Sequence, residues 1–103
     1  MVKTPREAYR DFKPRYQNEL LAFASGEVIE FVHSDAHEVA RLIQLEVSRP
    51  NGYDVAMVHR LRLPEIRRRL GSLGRKVVVV RRQRTPSGKV SYRVEPEPSA
   101  NRI

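Results

Sequence analysis

Apolar positions along the chain fall into short groups, each bounded by a proline, a glycine or a capping residue. In Thr4-Pro5-Arg6-Glu7, Thr4 suits a helix N-cap, Pro5 the first helical position, and Glu7 closes a capping box. Pro14 ends or kinks that helix near Phe12 or Lys13. From Arg15 to Ala24, the residues Tyr16, Leu20, Leu21 and Ala24 share one side at helical spacing, which predicts a second helix stopped at Gly26. The β-rich run from Glu27 to Val32 predicts a strand. Ser34 then reads as the cap of a helix reaching about Val47, with Val39, Leu42, Ile43 and Val47 as its stripe.

Arg49-Pro50-Asn51-Gly52 breaks that helix. Asp54 can cap a short helix with Val55 and Val58 inward, ending near Arg60 or Leu61. Pro64 suits the first turn of the next helix, where Glu65 favours the dipole and Ile66, Leu70 and Leu73 stack on one side up to Gly74. Val77 to Val80 is a strand core, and Val90, Tyr92 and Val94 alternate on a second strand. Thr85-Pro86-Ser87-Gly88 between them fits a type I turn, so the two strands form a hairpin. Pro96 and Pro98 mark residues 95–103 as a flexible tail.

Charge changes the picture most. The 103 residues carry 20 Lys and Arg against 12 Asp and Glu, a formal net charge of +8. The excess is concentrated: residues 60–93 hold twelve of the basic side chains, ten of them Arg, and a single acid, Glu65. The remainder of the chain is slightly acidic. Self-repulsion of this size is tolerated most readily when a polyanion releases counterions on binding, and Arg suits bidentate contact with phosphate or guanine. Cysteine is absent, which excludes disulfides, thiolate zinc sites and a cysteine nucleophile. No apolar run approaches the ~18 residues of a membrane span, and the first ten residues lack the apolar core of a secretory signal. The expectation is a cytoplasmic, nucleoid-associated protein with no membrane partner and no cofactor.

From about residue 35 to 94, the order is helix, turn, short helix, break, basic helix and β-hairpin. With the spine Val39/Leu42/Ile43, Val55/Val58 and Ile66/Leu70/Leu73 and a terminal Tyr-x-Val, it resembles a winged helix-turn-helix domain. The resemblance implies an α+β fold, a small helical domain with a C-terminal β-hairpin wing and an N-terminal helical segment. Residues 1–94 would form one domain, with 1–26 as a helical extension. It also implies that the helix at 64–73 enters a major groove. Arg67, Arg68 and Ser72 lie about 100°, 200° and 240° from Ile66 around that helix, pointing away from the core. Gly71 would allow close backbone approach. Arg75 and Lys76 follow the helix, Arg60 and Arg62 precede it, and Arg82, Arg84 and Lys89 cluster about the hairpin turn as candidate phosphate contacts.

Other chemistry finds less support. His33 and His37 are four apart, but His33 precedes the expected cap and no third metal ligand follows at a compelling spacing. The serines lie in turns, caps or strands with no His and carboxylate in concert, and no Gly-rich phosphate loop is present, so an enzyme is not expected. The readings that remain are a double-stranded-DNA-binding regulator or phage or plasmid accessory protein, an RNA-binding or ribosome-associated protein, and an adaptor or inhibitor docking on an acidic surface. A homodimer would double a DNA site. The N-terminal group Tyr9, Phe12, Tyr16, Leu20, Leu21 and Phe23 reads either as an interface for a protein partner or as the part that completes the core.

Overall fold

The computed structural model describes residues 4–96. Helix α1 spans Pro5–Phe12 and opens with the expected capping box: the Glu7 N–H donates to Thr4 Oγ1, and the Thr4 N–H donates to Glu7 Oε1 at 2.9 Å. A 3-10 turn at Lys13–Arg15 follows, which the ring of Pro14 accommodates and an α-helix would not. The chain then enters strand β1 at Leu20–Ser25, not a helix. The reason lies in the run Leu20-Leu21-Ala22-Phe23-Ala24, which is buried on successive residues. A five-residue block without polar interruption suits a central strand covered on both faces better than an amphipathic helix.

Strand β2 (Val28–Val32) returns antiparallel after a two-residue loop, with Ser25 opposite Val28. Gly26 takes φ +59° at the first loop position, as a type II′ hairpin turn requires. Helix α2 runs His33–Ile43 and stops at Gln44 in the left-handed region, four residues short of the sequence-based end. Ser34 does not cap it; its hydroxyl lies 3.0 Å from Tyr9 Oη. Strand β3 occupies Val55–His59, where a short helix was expected. β-Branched Val55 and Val58 pair against Val32 and Ile29 of β2, and cross-strand packing outweighs the helical spacing.

A 3-10 turn at Arg60–Arg62 leads into α3 (Leu63–Ser72), as expected for this segment. Its end is a Schellman closure. Gly74 sits at φ +80°, its N–H donates to Gly71 O, and the Arg75 N–H donates to Leu70 O at 2.9 Å. Strands β4 (Val77–Arg84) and β5 (Val90–Val94) form the expected hairpin. They are no appended wing, however. The sheet order is β3-β2-β1-β4-β5, with β4 parallel to β1 and every other pair antiparallel.

Two apolar layers hold the sheet. On one face Leu20, Ala22, Ile29, Phe31, Ala56, Val77 and Val79 meet Val39 and Ile43 of α2 and Ile66 and Leu70 of α3. On the other, Leu21, Phe23, Val32, Val55, Val78 and Val80 meet Ala8, Tyr9 and Phe12 of α1, with Tyr16, Tyr53 and Tyr92 at the margin. The N-terminal apolar group therefore packs into the fold itself. Glu95 is fixed as well: its N–H donates to Val79 O at 2.8 Å and its carboxylate pairs with Arg81. The rest of the expected tail, residues 97–103, lies outside the described residues.

One buried polar group links these pieces. Asp35, 4% exposed, accepts the Leu21 N–H at 3.0 Å and the Lys13 ammonium at 3.0 and 3.1 Å. Lys13 Nζ also donates to Glu19 O at 2.6 Å. Removing one member of a buried pair strands the other and costs about 3–5 kcal/mol. Asp35→Ala is expected to lose stability near that figure. Lys13→Met should lose less, because the Asp35 carboxylate keeps the Leu21 N–H and the methylene stem is kept, whereas Asp35→Ala strands both donors. Urea denaturation of the two variants checks the order.

Candidate nucleic-acid interface

The parallel arrangement of β1 and β4 brings their C-terminal ends together with the start of β2 and the end of β3. Part of the basic segment meets the fold at this end of the sheet. Arg60 is drawn to the β1–β2 turn, its N–H donating to Glu27 O at 2.8 Å, and its side chain stays exposed. His59 beside it pairs with Glu27 at 3.0 Å and accepts the Leu61 N–H. Arg82 reaches Ser25 Oγ at 3.4 Å, and Arg84 donates to Gly88 O at 3.3 Å. Ser25, Gly26, Arg82, Arg84 and Val90 line a shallow groove there. Lys89 is exposed in the hairpin turn.

The α1 face of the sheet is covered only in part. Helix α1 packs over Leu21 and Val32 and leaves the half nearer the β1–β2 turn open. On that half stand Val28, Glu30, Met57, Arg82 and Tyr92, which the strand registers put on the same side as Phe23. Met57 is 51% exposed, a large apolar side chain presented to solvent at the sheet surface. Tyr92 leans edge-on against Phe23, ring centroids 6.1 Å apart. Its ring is half-buried, and alternation with Val90 and Val94 puts all three on this margin.

Glu30 is the unusual member. It lies opposite Phe23 on one side and Met57 on the other, half-buried, with no hydrogen bond or ion pair among the described residues. Burial pushes its carboxyl above the usual carboxylate range. Burial also raises the phenols of Tyr53 and Tyr92, and the nearby Glu30 charge adds to both effects. This residue escaped the sequence reading, which treated 27–32 as a strand and went no further. The available signal was the position itself, a carboxylate between Ile29 and Phe31 in a run that otherwise reads as core.

The remaining sequence candidates separate from this end. Arg67, Arg68 and Arg69 project from α3 on the opposite side of the sheet, and no carboxylate among the described residues pairs with them. Arg62 keeps a loose pair with Glu65 at 3.8 Å. Arg75 is bound to Glu38, so it ties the end of α3 to α2. Ser72 turns its hydroxyl back to Arg69 O at 2.8 Å. Lys76 lies at the far end, where its carbonyl receives the Leu20 N–H. Gly71 has open space where a side chain would stand.

The histidines take structural positions. His33, at φ +56°, packs its ring between Tyr9 at 5.2 Å and Tyr53 at 5.6 Å, and burial, helped by Arg6 and Arg10, lowers its pKa. His37 contacts Asp54 at 2.6 Å, and that hydrogen bond is the main reason the Asp54 carboxyl lies below its usual range. Among the described residues no three His, Asp or Glu side chains gather as a metal-ligand set. No helix among them is long and apolar enough to cross a membrane.

A comparison with protein families matches residues 4–97 to MutS domain I, a mismatch-recognition domain that binds DNA. No curated protein matches the chain. The family match overturns the winged helix-turn-helix resemblance. That resemblance rested on the order of elements over residues 35–94, which changes once the stretch at 55–59 is a strand and β1 separates the hairpin from β2. From residue 4 to residue 97, across all five strands and three helices described, this chain belongs to the MutS domain I family.

Proposed function

We propose that this chain binds duplex DNA through the open half of its sheet, reading the helix at a disturbed base pair and not at a long base sequence. The observation that carries the reading is Glu30, an unpaired, half-buried carboxylate on a surface otherwise edged by Arg82, Arg84 and Lys89. A carboxylate repels phosphate, so its place beside a phosphate-binding rim is useful only if it meets a donor, such as a base N–H or a ring that has lost its partner. Val28, Met57 and Tyr92 supply apolar and aromatic area against which an exposed base edge can pack. The guanidinium rim supplies affinity that does not depend on sequence. DNA binding by the MutS domain supports the reading; a role as a transcription regulator or phage accessory protein draws no support from it.

The RNA-binding alternative expects several aromatics across an exposed sheet. Tyr92 alone on β4–β5, held against Phe23, favours the duplex.

Titrating labelled duplexes, one fully paired and one with a single mispair, and a matched single-stranded RNA at two salt concentrations tests the proposal. Both duplexes should bind with a steep loss on adding salt, the mispaired one more tightly, and the RNA more weakly. Arg82→Ala should weaken both duplexes alike and reduce the salt slope by about one phosphate contact. Equal affinity for paired and mispaired duplex, with tighter RNA binding, would contradict it.

The same carboxylate gives a pH-dependent check. Because the native state holds the Glu30 proton more tightly than the unfolded chain, its contribution is present in full below the ordinary carboxylate range. It is lost as pH rises through the higher native value. Glu30→Gln should therefore be more stable than the parent at neutral pH, with the gap closing on acidification. The same variant should lose preference for the mispaired duplex. Thermal melts from pH 3.5 to 8 and the duplex titration read the two effects.

A further inference from the structure

The fold divides the basic segment between opposite sides of one sheet. Arg82 and Arg84 point to the α1 side with Val80 and Tyr92, whereas Arg93, opposite Arg81 in the register, points to the side of α3. No helix packs over β5, so Gln83, Ser91 and Arg93 stay exposed on the helix side. Helix α3 packs on the same face over β4; with Ile66 and Leu70 turned to the sheet, Arg68 leaves from its outer side and Arg67 and Arg69 from its two flanks. None of these three, nor Arg93, has a carboxylate partner among the described residues. The result is a cationic step, a helix wall beside an uncovered strand.

This step cannot serve the duplex held at the open half of the sheet. The outer side of α3 stands a helix diameter, about 10–12 Å, beyond the sheet. That exceeds the screening length of about 8 Å at physiological salt, and a straight duplex does not reach round both faces of one sheet. We propose that the α3 step is a second, separate binding surface for a duplex phosphate backbone, so that one copy of the chain joins two DNA segments. The step presents guanidinium groups with no acceptor set for base edges, so the contact is with phosphates and independent of sequence. The proposal takes the first segment from the DNA-binding reading above and adds the second.

A capture experiment separates the two. Beads carrying one duplex are loaded with the protein, and retention of a second, fluorescent duplex is measured beside a single-duplex anisotropy titration. The parent chain should retain the second duplex. Arg67→Ala, Arg68→Ala and Arg69→Ala combined should cut retention tenfold or more while single-duplex affinity stays within about threefold. Alanine favours helix at least as well as arginine, and circular dichroism confirms the variant's fold. Arg82→Ala, Arg84→Ala and Lys89→Ala combined should lower both readings.

Single-duplex binding without retention overturns the proposal and leaves the earlier reading intact. Undiminished retention by the α3 variant also overturns it, because two copies joined to each other would then do the bridging. Equal loss of both readings in the α3 variant means one continuous surface, which contradicts two. Binding of labelled polyglutamate by the parent but not by the α3 variant, with no retention of a second duplex, assigns the step to an acidic protein and overturns the proposal. Absence of single-duplex binding overturns both readings.

Discussion

The Asp35 carboxylate is the group on which the arrangement of the chain depends. It lies in the first turn of α2, where the helix dipole favours an anion, and it receives the backbone of β1 and the side chain of Lys13 together. Strand β1 occupies the centre of the sheet, antiparallel to one neighbour and parallel to the other. A strand so placed has no solvent-facing side to fix its register, and its apolar residues are similar enough to allow a slip. The Leu21 N–H on Asp35 and the Glu19 carbonyl on Lys13 fix where the strand begins. Once that register holds, Phe23 faces Glu30 and Val80 on one face, and Ala24 is set beside Arg81 on the other.

That register also assembles the surface. The ends of β1 and β4 coincide because they are parallel, so Ser25 and Arg82 become neighbours though 57 residues apart. The Arg60 amide on Glu27 then draws the start of the basic segment to the same corner. Helix α1 covers the far half of the face with Tyr9 and Phe12, and the near half stays open because nothing in the described chain reaches it. A half-covered sheet with a cationic rim and an inset carboxylate follows from topology more than from any local motif. The same topology sends α3 to the other side, which is why charges adjacent in sequence end on opposite faces.

Local signals in the sequence were informative wherever they sufficed. The capping box at Thr4–Glu7, the Schellman glycine after α3 and the turn at 85–88 each specify a structure within a few residues, and the chain forms them. The failures at 15–24 and 54–61 share one cause. In both, valines or leucines at ambiguous spacing were assigned to helices, while the deciding contacts came from strands far away in sequence. The basic patch was visible as a count, but its division between faces required knowing that β1 lies between β2 and β4. Arg75, a site candidate by charge, is bound to Glu38, 37 residues earlier, which spacing could not reveal. Glu30 was legible only as an oddity, since a carboxylate in a strand gains meaning once its neighbours across the sheet are known.

The most direct test of the account is an amide and methyl NMR titration of the full chain with a short duplex, taken to the first equivalent. The account predicts the largest shifts at Val28, Glu30, Met57, Arg82, Arg84 and Tyr92, with α2 and the segment from residue 44 to 54 unmoved. Shifts confined to those latter residues, with the open half of the sheet unchanged, would contradict it.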